Sequence, residues 1–291
     1  MKRASALLAL ALAGGLALTA CSPASDGSQG TPSPTGSATA SCTKDSLATK
    51  TPGSLTVATG DPAYEPWVVD DDPSSGKGFE AAVAYAAAEK LGFAPADVKW
   101  VRTTFDGAIA PGPKSFDWNL QQFSITADRE KAVDFSSPYY DVNQAVVSYA
   151  GSPIAKATKL AELKTAKLGA AIGSTSLETA QTVIAPDRDV SVFNDNAAAV
   201  TALKNGQIDG LVVDLPTAFY LVAAELDNGV IVGQIPSSEG GTTDQFGILL
   251  ANDSPLTACT SQAIDALRAD GTLDRLQHTW LGSDAGAPTL S

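Results

Sequence analysis

The segment 123–140, FSITADREKAVDFSSPYY, concentrates the residues best suited to recognise a small anion. Arg129 carries a permanent charge on a planar fork of N–H donors that matches a carboxylate. Thr126 suits an N-cap, its hydroxyl accepting from a free backbone N–H, and Asp128 in the following turn favours the helix dipole. The pattern predicts a strand end running into a helix that starts at Thr126. Ser124, Thr126 and unpaired N–H groups would then converge on Arg129. A guanidinium beside exposed backbone donors is a carboxylate receptor. Alone, an arginine between Asp128 and Glu130 reads equally as a surface ion pair, so the reading leans on its surroundings.

No catalytic or metal-binding pattern accompanies this segment. His278 is the single histidine and falls in a terminal helical pattern near Trp280, as a packed or surface group. No Ser/His/Asp set and no Cys/His metal spacing occurs. Ser75-Gly76-Lys77-Gly78 is a poor phosphate loop: Asp71 stands where glycine is required, and no Ser or Thr follows Lys77. Asp70, Asp71 and Asp72 lack an EF-hand pattern and read as a solvated loop. No cofactor and no metal are expected.

The chain has 291 residues and a net charge of −13. Lys2 and Arg3 precede an apolar run over 4–20, too short for a membrane span and suited to a secretory signal over 1–20. Leu18-Thr19-Ala20-Cys21 resembles a bacterial lipobox. That resemblance implies cleavage before Cys21 and a diacylglycerol on its sulfur, hence a membrane anchor on the extracytoplasmic face. Residues 22–41 are mostly Ser, Pro, Thr, Gly and Ala, a composition that cannot bury a core and forms a flexible tether. Loss of Lys2 and Arg3 leaves a charge near −15, which argues against nucleic acid or an anionic membrane surface as partner. Cys42 and Cys259 remain, and two thiols outside the cytoplasm tend to pair; two buried free thiols are the alternative.

Strand and helix signals then alternate. Strands are expected at 55–59, 98–102, 116–123 and 144–149, with helices at 78–91, 105–110 and from Thr126. A second unit repeats the rhythm, with strands at 167–172, 190–193, 208–213 and 230–235. Its helices follow at 173–183, 196–204 and 216–226. A strand at 246–251 returns to the first unit, and helices at 254–269 and 272–281 close the chain. The alternation implies an α/β fold with two mostly parallel sheets. Ligands bind such sheets at the carboxyl ends of strands, where 61–67, Phe105, 124–129, 173–176 and Asp214 all fall.

GSLTVATGDPAYEPW, GKGFEAAVAYAAAEKLGF, FDGAIAPGPKSFD, the SIT-x-x-R…DFS-x-PYY block, LGAAIGSTSLET, NGQIDGLVVD, FGILLA and LRADGTLDRLQHTWLG occur in an order that resembles the family 3 extracellular solute-binding proteins, the amino-acid receptors of bacterial ABC importers. The resemblance covers about 53–282. It implies a two-lobe, type II periplasmic-binding-protein fold with two crossover strands. Lobe 1 would comprise 53–141 and 246–283, and lobe 2 142–245. Residues 21–52 would be a lipid-anchored linker and extension, and 284–291 a tail.

By the same resemblance, Arg129 clamps a ligand α-carboxylate, with Ser124 and the loop carrying Ser174 and Thr175 as further donors. Asp214 takes the α-ammonium, Tyr64 and Phe105 sandwich the aliphatic part, and Asp61 reads the side chain. Charge logic agrees, since a zwitterion needs one fixed cation and one fixed anion. Asn119, Gln121 and Gln122 replace the small residues many members carry before the SIT segment. Strand neighbours alternate faces, so one of the two glutamines faces the cleft, and its position favours Gln122. The implied protein is a monomeric, non-catalytic receptor that hands a free amino acid to an ABC permease, and the acids Asp61 and Glu65 tilt the ligand toward polar or basic. The rivals are an enzyme resembling the cyclohexadienyl dehydratases, with Glu178 or Glu65 as acid, and a sensor reporting to a membrane partner.

Overall fold

The computed structural model describes residues 42–236, 244–282 and 287–291. The signal segment, Cys21, the tether to residue 41 and part of the expected tail lie outside them. Among the described residues no helix is long and apolar enough to cross a membrane.

The first lobe begins with β1 (Leu55–Thr59), a buried run of small and branched residues. Helix α1 (Phe79–Lys90) follows, entered through Gly78 at φ 102°, where a Cβ would lie 2.4 Å from the Trp67 carbonyl oxygen. Only glycine tolerates that entry. Next come β2 (Val98–Arg102), α2 (Phe105–Ile109), β3 (Trp118–Asn119), β4 (Val133–Phe135) and β5 (Tyr140–Val142). The second lobe holds β6 (Gln144–Tyr149), β7 (Leu168–Ala171), α3 (Thr175–Thr179), β8 (Ser191–Phe193), α4 (Asn196–Lys204), β9 (Gly210–Asp214), α5 (Leu215–Tyr220) and β10 (Gly229–Gln234). The chain then returns through β11 (Asp244–Phe246) to β12 (Leu249–Ala251), α6 (Thr257–Ala269) and α7 (Thr272–Trp280).

Two five-stranded sheets result, ordered β2-β1-β3-β12-β4 and β10-β6-β9-β7-β8. Between them β5 and β11 pair antiparallel, as two crossover strands with Tyr140 opposite Phe246. Beneath this crossover Trp67, Phe79, Tyr140 and Phe246 pack edge to face, with centroids 5.5–6.0 Å apart for the Trp67–Phe246 and Phe79–Tyr140 pairs and for Trp67–Tyr140. Each sheet buries its own apolar clusters, so each lobe has a core of its own.

Four expectations are corrected. The sheets are mixed, not mostly parallel: β12 runs antiparallel to β3 and β4, and β6 antiparallel to β9 and β10. The antiparallel members β6 and β12 are the strands reached directly from the crossover, and they enter their sheets against the βα units. The strand expected over 116–123 shrinks to Trp118–Asn119, because Gln122 turns to φ 53°. The helix expected from Thr126 is a single 3-10 turn, Arg129–Lys131. Finally, the end of the chain is no loose tail. Leu290 is buried in the second lobe, its N–H donates to the Gln234 carbonyl at 2.9 Å, and Ser291 N–H reaches Thr158 O at 3.0 Å.

The start of the described chain is also docked. Cys42 and Cys259 form a disulfide with Cα atoms 5.3 Å apart. Lys44 pairs with Asp97 at 2.6 Å on the same lobe.

Candidate functional site

A cavity of about 220 Å³ lies between the carboxyl ends of the two sheets. That is below the ~300–1,000 Å³ of drug-sized sites and on the scale of one small metabolite. Asp61, Tyr64, Phe105, Gln122, Arg129, Ser174, Thr175 and Asp214 all line it. Ser124 lies just behind the wall, buried, with its hydroxyl 3.0 Å from Thr175 Oγ1 across the lobes.

Arg129 is held by backbone rather than by carboxylates. Its Nη1 donates to Ser124 O at 2.7 Å, and its Nη2 to Gly173 O of the other lobe at 2.8 Å. The Thr126 hydroxyl accepts from Arg129 N–H at 3.2 Å, so the expected capping hydroxyl serves the turn that bears the arginine. Gly173 sits at φ 69°, and a Cβ there would meet Asp106 Oδ1 at 2.6 Å. Glycine takes that left-handed turn without strain, which favours it where the carbonyl reaches the guanidinium. The guanidinium also covers the Phe105 ring at 5.3 Å, and Phe105 stacks on Phe123 with centroids 4.8 Å apart. Two of the five guanidinium N–H donors are thereby used, and three remain. Burial lowers the pKa of Arg129, while Asp214, Asp244 and Glu178 oppose that shift, so the group stays charged.

Asp214 ends β9 at the N-cap position of α5, yet its side chain makes no capping bond. Instead Oδ1 accepts from Gln144 Nε2 at 2.8 Å. That nitrogen is shared with Asp244 Oδ2 at 3.3 Å, and the Gln144 carbonyl oxygen accepts from Ser176 Oγ at 2.6 Å. Burial pushes the Asp214 carboxyl up to about 7; Gln144 and Arg129 pull it down, and Asp244 and Glu80 push it further up. It is a half-buried acid short of positive charge. Gln144 is a site residue that sequence reasoning passed over. Its signal was its place, first in the strand that leaves the crossover.

The glutamines divide their work differently from expectation. Gln122 touches the cavity, but its N–H donates to Glu80 Oε1 at 2.7 Å and its amide nitrogen to Glu80 Oε2. Gln121 lines the same cavity, and its carbonyl oxygen is buried with no hydrogen-bond partner. Both amides thus border the cavity, Gln122 with its nitrogen spent on Glu80 and Gln121 with its carbonyl oxygen unpaired. The Tyr64 hydroxyl is likewise buried; burial followed by the Asp195 charge raises its pKa to about 12, and the neighbouring Ala197 backbone N–H works against that rise. Asp61 is exposed at the rim. Its loop is tied down by Arg102, which donates to Gly60 O at 2.7 Å and pairs with Asp71 at 2.6 Å. Asp71, expected in a solvated run, thus braces the cavity rim. Asn194, Asp195 and Asn196 complete the lining from the start of α4, and the sequence reading missed all three.

The Ser174 hydroxyl is spent locally: it accepts from Leu177 N–H at 3.1 Å and donates to Ala171 O at 2.7 Å. The Thr175 hydroxyl faces Ser124. A third interlobe bond, Trp67 Nε1 to Thr217 Oγ1 at 3.0 Å, closes the floor. The site therefore offers spare donors at Arg129 and spare acceptors at Asp214, Gln121 and Asp61. An α-amino acid carries the complementary groups.

The profile of the bacterial extracellular solute-binding proteins, family 3, matches residues 55–283. A probable histidine-binding protein of Campylobacter jejuni subsp. jejuni serotype O:2 is 29% identical over 217 residues, 74% of this chain and 80% of that protein. The structure of an ancestral arginine-binding protein bound to glutamine superposes with a TM-score of 0.66 at 31% identity, over 79% of this chain and 98% of the other. An ancestral amino acid-binding protein described as a precursor of cyclohexadienyl dehydratase superposes with a TM-score of 0.63 at 29% identity, over 78% and 95%.

Proposed function

Because the chain belongs to the bacterial extracellular solute-binding proteins, family 3, we propose that it captures a free amino acid between its lobes and presents it to an ABC permease without chemical change. The observation that carries this reading is the pairing of unlike charges across one cavity: Arg129 from one lobe and Asp214 from the other. Arg129 receives the α-carboxylate on its three unused N–H groups, with Thr175 nearby. Asp214 receives the α-ammonium and becomes fully ionised as it does so. Phe105 and Tyr64 bracket the aliphatic part, and Asp61 and Gln121 meet the side chain. Charged hydrogen bonds contribute about 1.5–3 kcal/mol each once water is excluded. Ligand bonds to both lobes shift the population toward the closed form.

The lobes we assign are 53–141 with 246–283, and 142–245, turning about the paired crossover strands. Cys21 carries the lipid that holds the mature monomer at the extracytoplasmic face of the membrane. Cys21→Ala should release the protein to the medium; retention in the membrane fraction would refute the anchor.

Arg129→Ala tests the main reading. Screening the native protein by thermal shift against the twenty amino acids should yield at least one hit, since binding raises the melting point by mass action. The variant should keep its circular dichroism and lose that ligand in calorimetry. Near-native affinity would overturn the assignment. Likeness to the dehydratase precursor supports a second reading, in which Glu178 or Glu65 acts as a general acid on a carboxylated ring. Incubation with prephenate or arogenate, followed by absorbance, decides between them: turnover would replace the transport reading.

A further inference from the structure

Beside the main cavity lies a second one of about 190 Å³, and Tyr64, Gln122 and Asn196 line both. The first lobe contributes Glu65 and Trp67 to it, and the second lobe contributes one face of α4 and the adjoining face of α5. Its walls are largely apolar, with Val200 and Leu221 buried and the Trp67 indole closing one side. Of the acids lining it, Glu225 is already engaged: it pairs with Lys204 at 3.1 Å and accepts from the Tyr220 hydroxyl at 3.3 Å. Glu65 is not: among the described residues it forms no ion pair and no hydrogen bond, and after burial and Glu225 it adds to the raised pKa of the Tyr220 phenol. Tyr64, which lines both spaces, stands between them.

We propose that this side chamber is a second subsite, which takes the distal end of a long-chain cationic amino acid. The inference rests on the amino-acid reading of the main cavity and extends it. Apolar walls accept a methylene stem, which gains by leaving water. A half-buried carboxylate without a partner calls for a cation, and an ammonium or guanidinium supplies the N–H donors it lacks. A short diamino acid fills the main cavity and leaves Glu65 unpaired. A longer one passes Tyr64 and reaches it. Glu65 and the α4 face therefore set the length and charge of the preferred cargo, while Arg129 and Asp214 hold the invariant end.

The test uses the mature protein and a homologous series: 2,3-diaminopropionate, 2,4-diaminobutyrate, ornithine, lysine and homoarginine. Native affinity should climb along the series. Thr201→Trp fills the chamber from an exposed helix position. Glu65→Gln removes the charge and serves as the second variant should the tryptophan disturb folding. Either change should weaken the longest ligand at least tenfold and leave the shortest within twofold. Equal losses along the series, or none, would overturn the chamber. If no member of the series and none of the twenty amino acids binds, the amino-acid reading has failed and the chamber with it. If short amino acids bind while chain length has no effect, only the chamber has failed.

Discussion

Glu80 is buried and Asp214 half-buried at the cavity, and desolvation is the chief cause pushing both carboxyls up to about 7, yet their surroundings are opposite. Glu80 sits in α1 with both oxygens engaged. Its Oε1 accepts from Gln122 N–H at 2.7 Å and the Tyr139 hydroxyl at 2.5 Å, and its Oε2 accepts from the Gln122 amide. All three donors come from the same lobe, and they hold Gln122 in its left-handed turn. Asp214 has one donor, a glutamine nitrogen shared with a second acid, and it faces a cavity. A raised pKa alone would rank the two acids equally. Donor supply separates them: a satisfied acid braces structure, and an unsatisfied one awaits a ligand.

The largest effect should come from breaking the unsatisfied acid. Asp214→Ala should weaken amino-acid binding by 100-fold or more, roughly 3 kcal/mol, because the ammonium would enter a buried site without a counter-charge. Calorimetry giving a loss under fivefold would erase the distinction. Breaking the satisfied acid should act on the fold. Glu80→Ala strands three donors and should lower stability by about 3 kcal/mol, read as a lower urea midpoint with an unchanged m-value. A fully stable variant would show that Glu80 is no brace.

Titration sharpens the contrast. Ligand ammonium requires ionised Asp214, so affinity should fall toward tenfold per pH unit as the pH drops below about 7. A flat profile from pH 5 to 8 would contradict the assignment. Stability of the unliganded protein runs the other way. Both acids bind their proton more tightly folded than unfolded, so the stability this provides is complete below the unfolded values near 4. It is lost as the pH rises through about 7. Asp214→Asn should flatten part of that decline; an identical pH–stability curve would count against it. The smallest effect is that of Tyr139→Phe, which removes one donor from Glu80 and should cost about 1 kcal/mol of stability with unaltered binding. A binding defect there would mean that the two acids act as one network.

Much of the frame was legible along the chain. Alternating apolar runs and turn residues marked the βα units, and the Val212-Val213-Asp214 strand end with Pro216 behind it placed an acid at a sheet terminus. Arg129 stood out because its charge lay amid small hydroxyl residues. These signals are local, and local propensity and side-chain chemistry carry them. Other features depended on residues distant in sequence. Thr126 looked like a helix start, but a single 3-10 turn suffices once Arg129 is tied to Ser124 O and to Gly173 O, 44 positions away. Gln122 borders the cleft, but its amide nitrogen goes to Glu80, 42 positions away, and Gln121 borders the cleft beside it. Gln144 showed its place at the start of the strand that leaves the crossover, but not that it would bridge Asp214 and Asp244.

The residues in order determined which charges this protein carries and roughly where along each strand they fall, because helix and strand periodicity is a short-range property. Which of those charges remain unpaired was decided only when the lobes met. Hydrogen-bond satisfaction is a count taken over neighbours in space, and chain order does not list those neighbours.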